Sequence, residues 1–209
     1  MRFWDMYFIT DSVLTRRSVL DDVSAALDAG CLVVQYREKQ KPIDFMVRQA
    51  QRLREMCEGR ADFVVNDHVD VAVAVQADGL HLGEDDAGVA DARTRFDGFI
   101  GVSTHNPKQA QAAQKLGADY IGVGPVYPTT TKVSSNAPLG LETLEQICKN
   151  AHVPAVAIGG ITLDRIAGVM KSGASAVAMI SAVVGSPDVR ATVLEAKARI
   201  QSAREDVFS

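Results

Sequence analysis

The feature that most constrains the fold is a regular alternation, along the whole chain, of short apolar runs with longer amphipathic segments. The short runs are rich in Val, Ile and Ala, and they predict eight strands at residues 6–10, 31–37, 62–66, 79–82, 99–103, 120–124, 155–158 and 176–180. The longer segments repeat apolar residues at helical spacing and predict crossover helices, among them residues 18–29, 43–58, 69–75, 107–116, 141–150, 162–171 and 187–204.

This order predicts an α/β protein with a parallel sheet. Continuous apolar strands are expected where helices cover both faces of such a sheet. Eight strand–helix units of about 25 residues each match the (β/α)8 TIM barrel, and no linker or low-complexity segment divides the 209 residues. We therefore expect a single-domain TIM barrel over residues 1–209, with a doubly wound sheet as the main alternative.

Cap residues mark several of the predicted helix ends. Asn106 precedes Pro107, a combination preferred at the first turn of a helix. Gly30, Gly117 and Gly173 follow predicted helices, where a residue in the left-handed backbone conformation commonly ends the helix. These residues support the predicted boundaries.

Charge and cysteine content exclude several classes of protein. Lys and Arg number 22 against 26 Asp and Glu, so the net charge of −4 gives no general attraction to nucleic acid or anionic lipid. The three cysteines have no CxxC spacing, which predicts buried thiols in a reducing compartment. No stretch reads as a membrane span or a signal peptide, so we expect a cytoplasmic protein without membrane or nucleic-acid partners. The oligomeric state is left open, with a homo-oligomer as one option.

Polar or glycine-rich sequence follows every predicted strand. The carboxyl ends of barrel strands carry the active site in enzymes of this fold, so these positions form the candidate site. They are residues 10–11, 35–39, 66–67, 81–86, 103–105, 124–132, 159–160 and 180–181. Any one of them could be an ordinary turn, because turns favour the same residue types. All eight together favour a functional site at the rim, the end of the barrel where the carboxyl ends of the strands lie.

One rim segment carries a cluster of donors. The two-residue period of a strand places Gln35, Arg37 and Lys39 on one face. Arg offers a rigid fork and Lys a point charge, which together suit a phosphate or a diphosphate. Lys132 adds a cation from segment 125–139, which is longer than a simple connection needs. The alternative is a solvated strand end in which Arg37 pairs with a neighbouring Asp.

Carboxylates stand at two other strand ends. Asp67 follows one strand, and the run Glu84, Asp85 and Asp86 follows the next. Oxygen ligands from two loops beside a phosphate site suit Mg²⁺, which completes its coordination shell with water and phosphate oxygens. Alternatively, Asp67 caps the next helix and residues 84–86 form a solvated turn.

The last two strands end in a second candidate anion site. Gly159 and Gly160 follow one strand, and residues 180–181 follow the other. Glycines let a ligand approach the backbone, and these two loops of a barrel commonly bind phosphate through main-chain N–H groups. The four histidines lack zinc-ligand spacing, and His81 and His105 are either acid–base groups or hydrogen-bonded residues of the barrel mouth.

Eight motifs in register resemble the thiamine-phosphate synthase family. They are YFITD at 7–11, VQYREK at 34–39, VNDHVDVA at 65–72, ADGLHLGEDD at 77–86, GVSTHN at 101–106, GADYIGVGPVYPTTTK at 117–132, AIGGI at 157–161 and AMISA at 178–182. The likeness spans nearly the whole chain, and it is specific because all eight occur in order. The sequence departs from the family pattern only slightly. Glu84 stands where Gln is common, and residues 133–137 form one variant of a loop whose sequence differs among family members.

The resemblance implies a TIM-barrel transferase that joins 4-amino-2-methyl-5-hydroxymethylpyrimidine diphosphate to a thiazole phosphate, with release of pyrophosphate and help from Mg²⁺. It implies that the residues holding the pyrimidine diphosphate are Gln35, Arg37, Lys39, Asn66, Ser103 and Lys132. Of these, Arg37, Lys39, Ser103 and Lys132 would act in catalysis. Asp67 and Asp86 would ligate the metal. The thiazole phosphate would contact Thr129, Thr131 and the main chain at Gly160, Ile180 and Ser181.

The implied chemistry needs no nucleophile or base supplied by the protein. Ionisation of an aminopyrimidine methyl diphosphate gives a ring-stabilised cation, so the enzyme mainly stabilises the leaving group and positions the reactants. We further expect segment 125–139 to become ordered when the diphosphate and Mg²⁺ bind. Two alternatives are a thiazole tautomerase that uses His105 for proton transfer and a phosphate-binding barrel without catalysis.

Overall fold

Eight parallel strands close into a barrel in the computed structural model, which describes residues 4–83, 88–131 and 137–208. The strands are β1 (Met6–Ile9), β2 (Val33–Tyr36), β3 (Asp62–Asn66), β4 (Gly79–Leu82), β5 (Phe99–Thr104), β6 (Tyr120–Val123), β7 (Ala155–Ile158) and β8 (Ala176–Met179). Each pairs with the next strand in sequence, and β8 closes the ring on β1, where Tyr7 lies opposite Ala178. The predicted (β/α)8 barrel is confirmed, and the doubly wound alternative is wrong.

Helices cover the outside of the barrel. They are α1 (Val19–Asp28), α2 (Ile43–Cys57), α3 (Val69–Ala74), α4 (Val89–Arg93), α5 (Pro107–Lys115), α6 (Gly140–Lys149), α7 (Ile166–Lys171), α8 (Ser181–Val184) and α9 (Val189–Phe208). The predicted helix 162–171 is divided into a 3₁₀ turn, Leu163–Arg165, and α7. Helices α4 and α8 were not predicted, because five and four residues are too few to display a helical period. Across the described parts of the chain, every helix is too short or too polar to cross a membrane.

The predicted cap residues lie at helix ends. The side chain of Asn106 accepts a hydrogen bond from the Gln109 backbone nitrogen at 2.9 Å, which caps α5. Gly30, Gly117 and Gly173 all have positive φ values, of 74°, 90° and 87°. These three glycines therefore end their helices in the conformation that the sequence predicted.

The strands divide their side chains between two cores. Met6 and Phe8 pack outward against the helices, whereas Tyr7 and Ile9 pack inside the barrel, as the two-residue period of a strand requires. Strand β1 is therefore apolar on both faces, which explains why it reads as a continuous apolar run.

Aromatic rings fill the amino-terminal end of the barrel. Trp4 packs edge-on against Tyr7 and Tyr120, with ring centroids 5.3 and 5.1 Å apart. Gly101 makes room for Tyr120, because a Cβ at Gly101 would lie 2.0 Å from that ring. Packing thus closes one end of the barrel and leaves the carboxyl end to the candidate site.

The cysteines are free thiols. Cys31 and Cys57 are buried, as predicted, and Cys148 is half-buried. Burial raises the pKa of the Cys31 and Cys148 thiols to about 11 and that of the Cys57 thiol to about 12. All three therefore remain protonated at neutral pH and act as packing groups.

Candidate active site

Two adjoining pockets open at the carboxyl ends of the strands. The first, here the cationic pocket, is lined among others by Gln35, Arg37, Lys39, Asn66, Asp67 and Ser103. The second, here the glycine pocket, is lined among others by Thr129, Thr131, Gly159, Gly160, Ile180 and Ser181. They share a wall formed by Ser103, Gly122, Ile158, Ala178 and Ile180. The structure therefore brings the described residues of the two predicted anion sites into two separate but contiguous cavities.

Arg37 lines the cationic pocket while paired with an acid. Its Nη1 lies 2.9 Å from Asp11 Oδ2, and Asp11 also accepts hydrogen bonds from the Val13 and Leu14 backbone nitrogens. The alternative interpretation expected Arg37 to pair with a neighbouring Asp at a solvated strand end. The pairing is present, but the Arg37 side chain is only 17% exposed and lines the cationic pocket. Asp11 fixes the direction of the guanidinium before any ligand arrives.

Lys39 reaches the same pocket from the turn that follows β2. The buried carboxylate of Glu38 accepts hydrogen bonds from the Lys39 and Gln40 backbone nitrogens, both at 2.8 Å, and so shapes this turn. The Lys39 ammonium forms an ion pair with Asp67. Glu38 is not among the predicted site residues, yet it sets the path of the chain that carries Lys39.

Asp67 adopts an unusual backbone conformation at the end of β3. Its φ is 63°, in the left-handed region, and its backbone nitrogen donates to the His81 carbonyl at 2.8 Å. The residue that caps α3 is His68, so the alternative role of Asp67 as helix cap is wrong. The left-handed turn instead places the carboxylate, only 9% exposed, against the cationic pocket.

Asp67 has the donor chemistry that a magnesium ion requires. Its carboxylate is a hard oxygen donor beside a pocket whose cations suit phosphate, and Mg²⁺ is commonly bound through one or two carboxylates together with substrate phosphates. Asp86, the other predicted ligand, lies outside the described residues. In the portions of the chain that the structure describes, no three His, Cys, Asp or Glu side chains gather as a ready-made metal cage. Asp67 therefore fits a site completed by ligand oxygens.

Backbone contact between two loops builds the glycine pocket. The Val126 and Tyr127 nitrogens donate to the carbonyls of Ile158 and Gly159 at 2.9 and 3.0 Å, so the chain after β6 runs along the chain after β7. A Cβ at Gly160 would lie 2.4 Å from a backbone oxygen of the first loop, and its φ is 61°. Gly160 is thus required for loop packing, a reason that sequence reasoning did not give.

Part of the predicted site lies outside the described residues. Thr129 and Thr131 line the glycine pocket, but Lys132 belongs to residues 132–136, which the structure does not describe. The expected ordering of segment 125–139 by ligand and the role of Lys132 therefore stay predictions.

Arg165 joins the two loops of the glycine pocket. Its Nη1 donates to the Gly160 carbonyl at 2.6 Å, and its guanidinium carbon lies 4.4 Å from the centroid of the Tyr127 ring. A cation–π contact and a charge-assisted hydrogen bond thus hold both loops at once. Sequence reasoning missed Arg165, because it follows a strand by seven residues and stands in no phosphate-binding motif.

Both rim histidines form hydrogen bonds. His81 Nε2 lies 3.0 Å from Ser103 Oγ and its Nδ1 lies 2.8 Å from the Tyr120 hydroxyl. His105 Nδ1 donates to the Gly124 carbonyl at 2.5 Å and borders the glycine pocket. Both histidines are hydrogen-bonded residues of the barrel mouth, and an acid–base role for either stays a prediction.

Fold and pockets together define a (β/α)8 barrel whose site suits phosphorylated small molecules. A family model described as thiamine monophosphate synthase matches residues 6–183. Thiamine-phosphate synthase of Methanosarcina barkeri is 44% identical over 188 residues, covering 89% of this chain and 86% of the relative. That of Pelotomaculum thermopropionicum is 46% identical over 194 residues, covering 91% and 88%. The solved structure of thiamine phosphate pyrophosphorylase from Pyrococcus furiosus has a TM-score of 0.87 at 37% identity, covering 96% of each chain. The chain belongs to the thiamine-phosphate synthase family, a family of transferases in thiamine biosynthesis.

We predict that Arg165→Ala loosens the two loops of the glycine pocket. Loss of a charge-assisted hydrogen bond costs about 1.5 kcal/mol, which corresponds to roughly tenfold faster hydrogen exchange at the Val126 and Tyr127 amides. Arg199→Ala is the matched control, because Arg199 Nη1 donates to the Leu163 carbonyl at 3.2 Å without reaching the pocket. Equal exchange rates in the wild type and Arg165→Ala would contradict this role.

Proposed function

We propose that the chain joins 4-amino-2-methyl-5-hydroxymethylpyrimidine diphosphate to a thiazole phosphate, forming thiamine phosphate and pyrophosphate. The observation that carries the proposal is the pair of adjoining pockets, one lined by cations and one by glycine-rich backbone, with a common wall. Two phosphorylated substrates need two anion sites. The two sites must also adjoin, because the reacting atoms of the two substrates have to come into contact.

Each substrate is assigned to the pocket whose chemistry fits it. The diphosphate carries more negative charge and is assigned to the cationic pocket, with Gln35, Arg37, Lys39, Asn66 and Ser103 as its contacts. The thiazole phosphate is assigned to the glycine pocket, with Thr129, Thr131, Gly160, Ile180 and Ser181 as its contacts. The family membership of the chain supports both assignments.

The reaction proceeds by loss of pyrophosphate before attack. The carbon–oxygen bond to the diphosphate breaks, the aminopyrimidine ring stabilises the resulting cation, and the thiazole nitrogen then forms the new carbon–nitrogen bond. Asp11 and Glu38 hold Arg37 and Lys39 in place, so little reorganisation is needed as charge develops on the leaving group. Binding in contiguous pockets places the two reacting atoms near each other.

The shared wall of the pockets protects the cation. Ile158, Ala178 and Ile180 present apolar surface where the two substrates meet. An apolar wall leaves less room for water, which would otherwise capture the cation as the pyrimidine alcohol. The wall thereby favours transfer to the thiazole over hydrolysis.

Magnesium is the proposed cofactor, with Asp67 as its ligand among the described residues and Asp86 as the second ligand that the resemblance implies. When bound, Mg²⁺ would offset negative charge on the departing pyrophosphate. Asp67 also pairs with Lys39, so one carboxylate organises two positive charges at the same edge of the pocket.

The direct test is an assay with purified protein, both substrates and Mg²⁺. We expect thiamine phosphate and pyrophosphate to form in equal amounts. Isomerisation of a thiazole tautomer without thiamine phosphate would instead indicate the tautomerase. Binding of both phosphorylated ligands without turnover would indicate a barrel that does not catalyse.

The separation of the two anion sites predicts opposite effects in two variants. Arg37→Ala should raise the KM for the pyrimidine diphosphate about tenfold and leave the KM for thiazole phosphate near the wild-type value, because a charge-assisted contact is lost on one side only. Gly160→Val should do the reverse, because a branched side chain would enter the glycine pocket wall. Arg52→Ala, on the exposed side of α2, is the control for loss of an arginine. A common increase in the same KM in both variants would contradict separate sites.

The role of Asp67 predicts a changed magnesium requirement. Asp67→Asn keeps the size of the side chain but removes its charge, so the Mg²⁺ concentration for half-maximal rate should rise about tenfold or more. Asp97→Asn is the control for loss of a carboxylate, because Asp97 is exposed and precedes β5 at the opposite end of the barrel, so it should leave that concentration unchanged. Titration of the rate with Mg²⁺ measures both, and an unchanged requirement in Asp67→Asn would exclude it as a ligand.

A further inference from the structure

A chain of hydrogen bonds, buried from Gln35 to Tyr120 and partly buried from His81 to Ser103, crosses the floor of the cationic pocket. Gln35 Nε2 lies 3.0 Å from the Tyr7 hydroxyl, the two tyrosine hydroxyls of Tyr7 and Tyr120 lie 2.7 Å apart, and His81 continues the chain to Ser103. Both tyrosines are at most 2% exposed and Gln35 is 3% exposed. Both ends of the chain, Gln35 and Ser103, line the same pocket.

The direction of these hydrogen bonds follows from the orientation of the Gln35 amide, whose nitrogen faces the Tyr7 hydroxyl, together with a count of hydrogens. Burial raises the pKa of both tyrosines far above neutral, so each hydroxyl keeps its hydrogen. Gln35 donates to Tyr7, so the Tyr7 hydrogen goes to Tyr120, and the Tyr120 hydrogen goes to Nδ1 of His81. Within the described residues the Tyr7 hydroxyl has no third partner. If Tyr120 donated to Tyr7 instead, the buried Tyr7 hydrogen would have no acceptor, which is costly.

The count also determines which hydrogens face the pocket. Because Nδ1 of His81 accepts, its ring hydrogen lies on Nε2 and is donated to Ser103 Oγ. The Ser103 hydroxyl hydrogen is then available to a ligand, and so is the carbonyl oxygen of the Gln35 amide, whose nitrogen is directed at Tyr7.

We propose that Tyr7, Tyr120 and His81 form a positioning relay that sets the polarity of the pocket floor, with Ser103 as hydrogen-bond donor and Gln35 as acceptor. Such a floor recognises a group that carries an N–H beside a ring nitrogen, as an aminopyrimidine does. The identity of that ligand rests on the proposed function, whereas the polarity of the relay does not. None of the three relay residues needs to touch the reacting atoms.

The relay predicts the tautomer of one histidine in the unliganded protein. Nitrogen NMR of ¹⁵N-histidine-labelled protein is practical, because the chain has four histidines, and His81→Gln identifies the signals of His81. We expect His81 to carry its hydrogen on Nε2 in the wild type. Tyr120→Phe removes the donor to Nδ1 and should produce a mixture of tautomers.

Tyr36→Phe is the matched control. Tyr36 is also a buried tyrosine, but its hydroxyl donates to Gln49 Oε1 at 3.0 Å, on the outer side of the barrel. It should leave the His81 tautomer and both KM values unchanged. Tyr120→Phe should raise the KM for the pyrimidine diphosphate about fivefold while the KM for thiazole phosphate stays constant.

The tautomer measurement separates the relay from the function. A hydrogen on Nδ1 in the wild type, or an unchanged tautomer in folded Tyr120→Phe, would overturn the relay whatever the enzyme does. The expected tautomers in a protein without synthase activity would support the relay and refute only the proposed function. If Tyr120→Phe does not fold, the wild-type tautomer alone decides the outcome.

Discussion

Closure of the parallel sheet is the constraint on which the rest of the structure depends. All eight strands run in the same direction, so the pairing of β8 with β1 brings eight carboxyl ends to one rim. Residues as distant in sequence as Gln35 and Ser181 therefore border neighbouring pockets, although no local contact links them. The aromatic plug around Trp4 fills the barrel interior at the other end, so the two pockets of the candidate site open at the rim.

Charges at the rim are held by other charges before a ligand binds. Asp11 holds Arg37, Asp67 pairs with Lys39, and Glu38 bends the chain that carries that lysine. A cationic pocket that already contains carboxylates has a weaker field than its arginine and lysine alone would give. The paired carboxylates weaken the attraction of the pocket for an anionic substrate, but they hold Arg37 and Lys39 in fixed positions. Fixed positions matter here because the proposed reaction depends on stabilising the leaving group.

Strands, most helices and the two groups of rim residues could be predicted from the sequence because each has a local signal. Buried parallel strands are continuous apolar runs, and rim residues follow them directly. The remaining features have no local signal. Helix α4 is too short for periodicity, Arg165 acts through a loop carbonyl, and Tyr7 and Tyr120 meet although 113 residues separate them in sequence. Both tyrosines stand within or beside apolar strand runs, and only the closed barrel brings their hydroxyls into contact.

The fit between glycine and aromatic residues in the barrel floor also limits how the protein can evolve. A Cβ at Gly101 would lie 2.0 Å from the Tyr120 ring, and one at Gly79 would lie 2.3 Å from the Phe99 ring. A larger residue at Gly79 or Gly101 needs a smaller ring opposite it, so enlargement of either glycine is coupled to a second substitution. A mutational path that enlarges Gly101 must therefore first reduce the Tyr120 ring, and with it the hydroxyl that lies beneath the pocket.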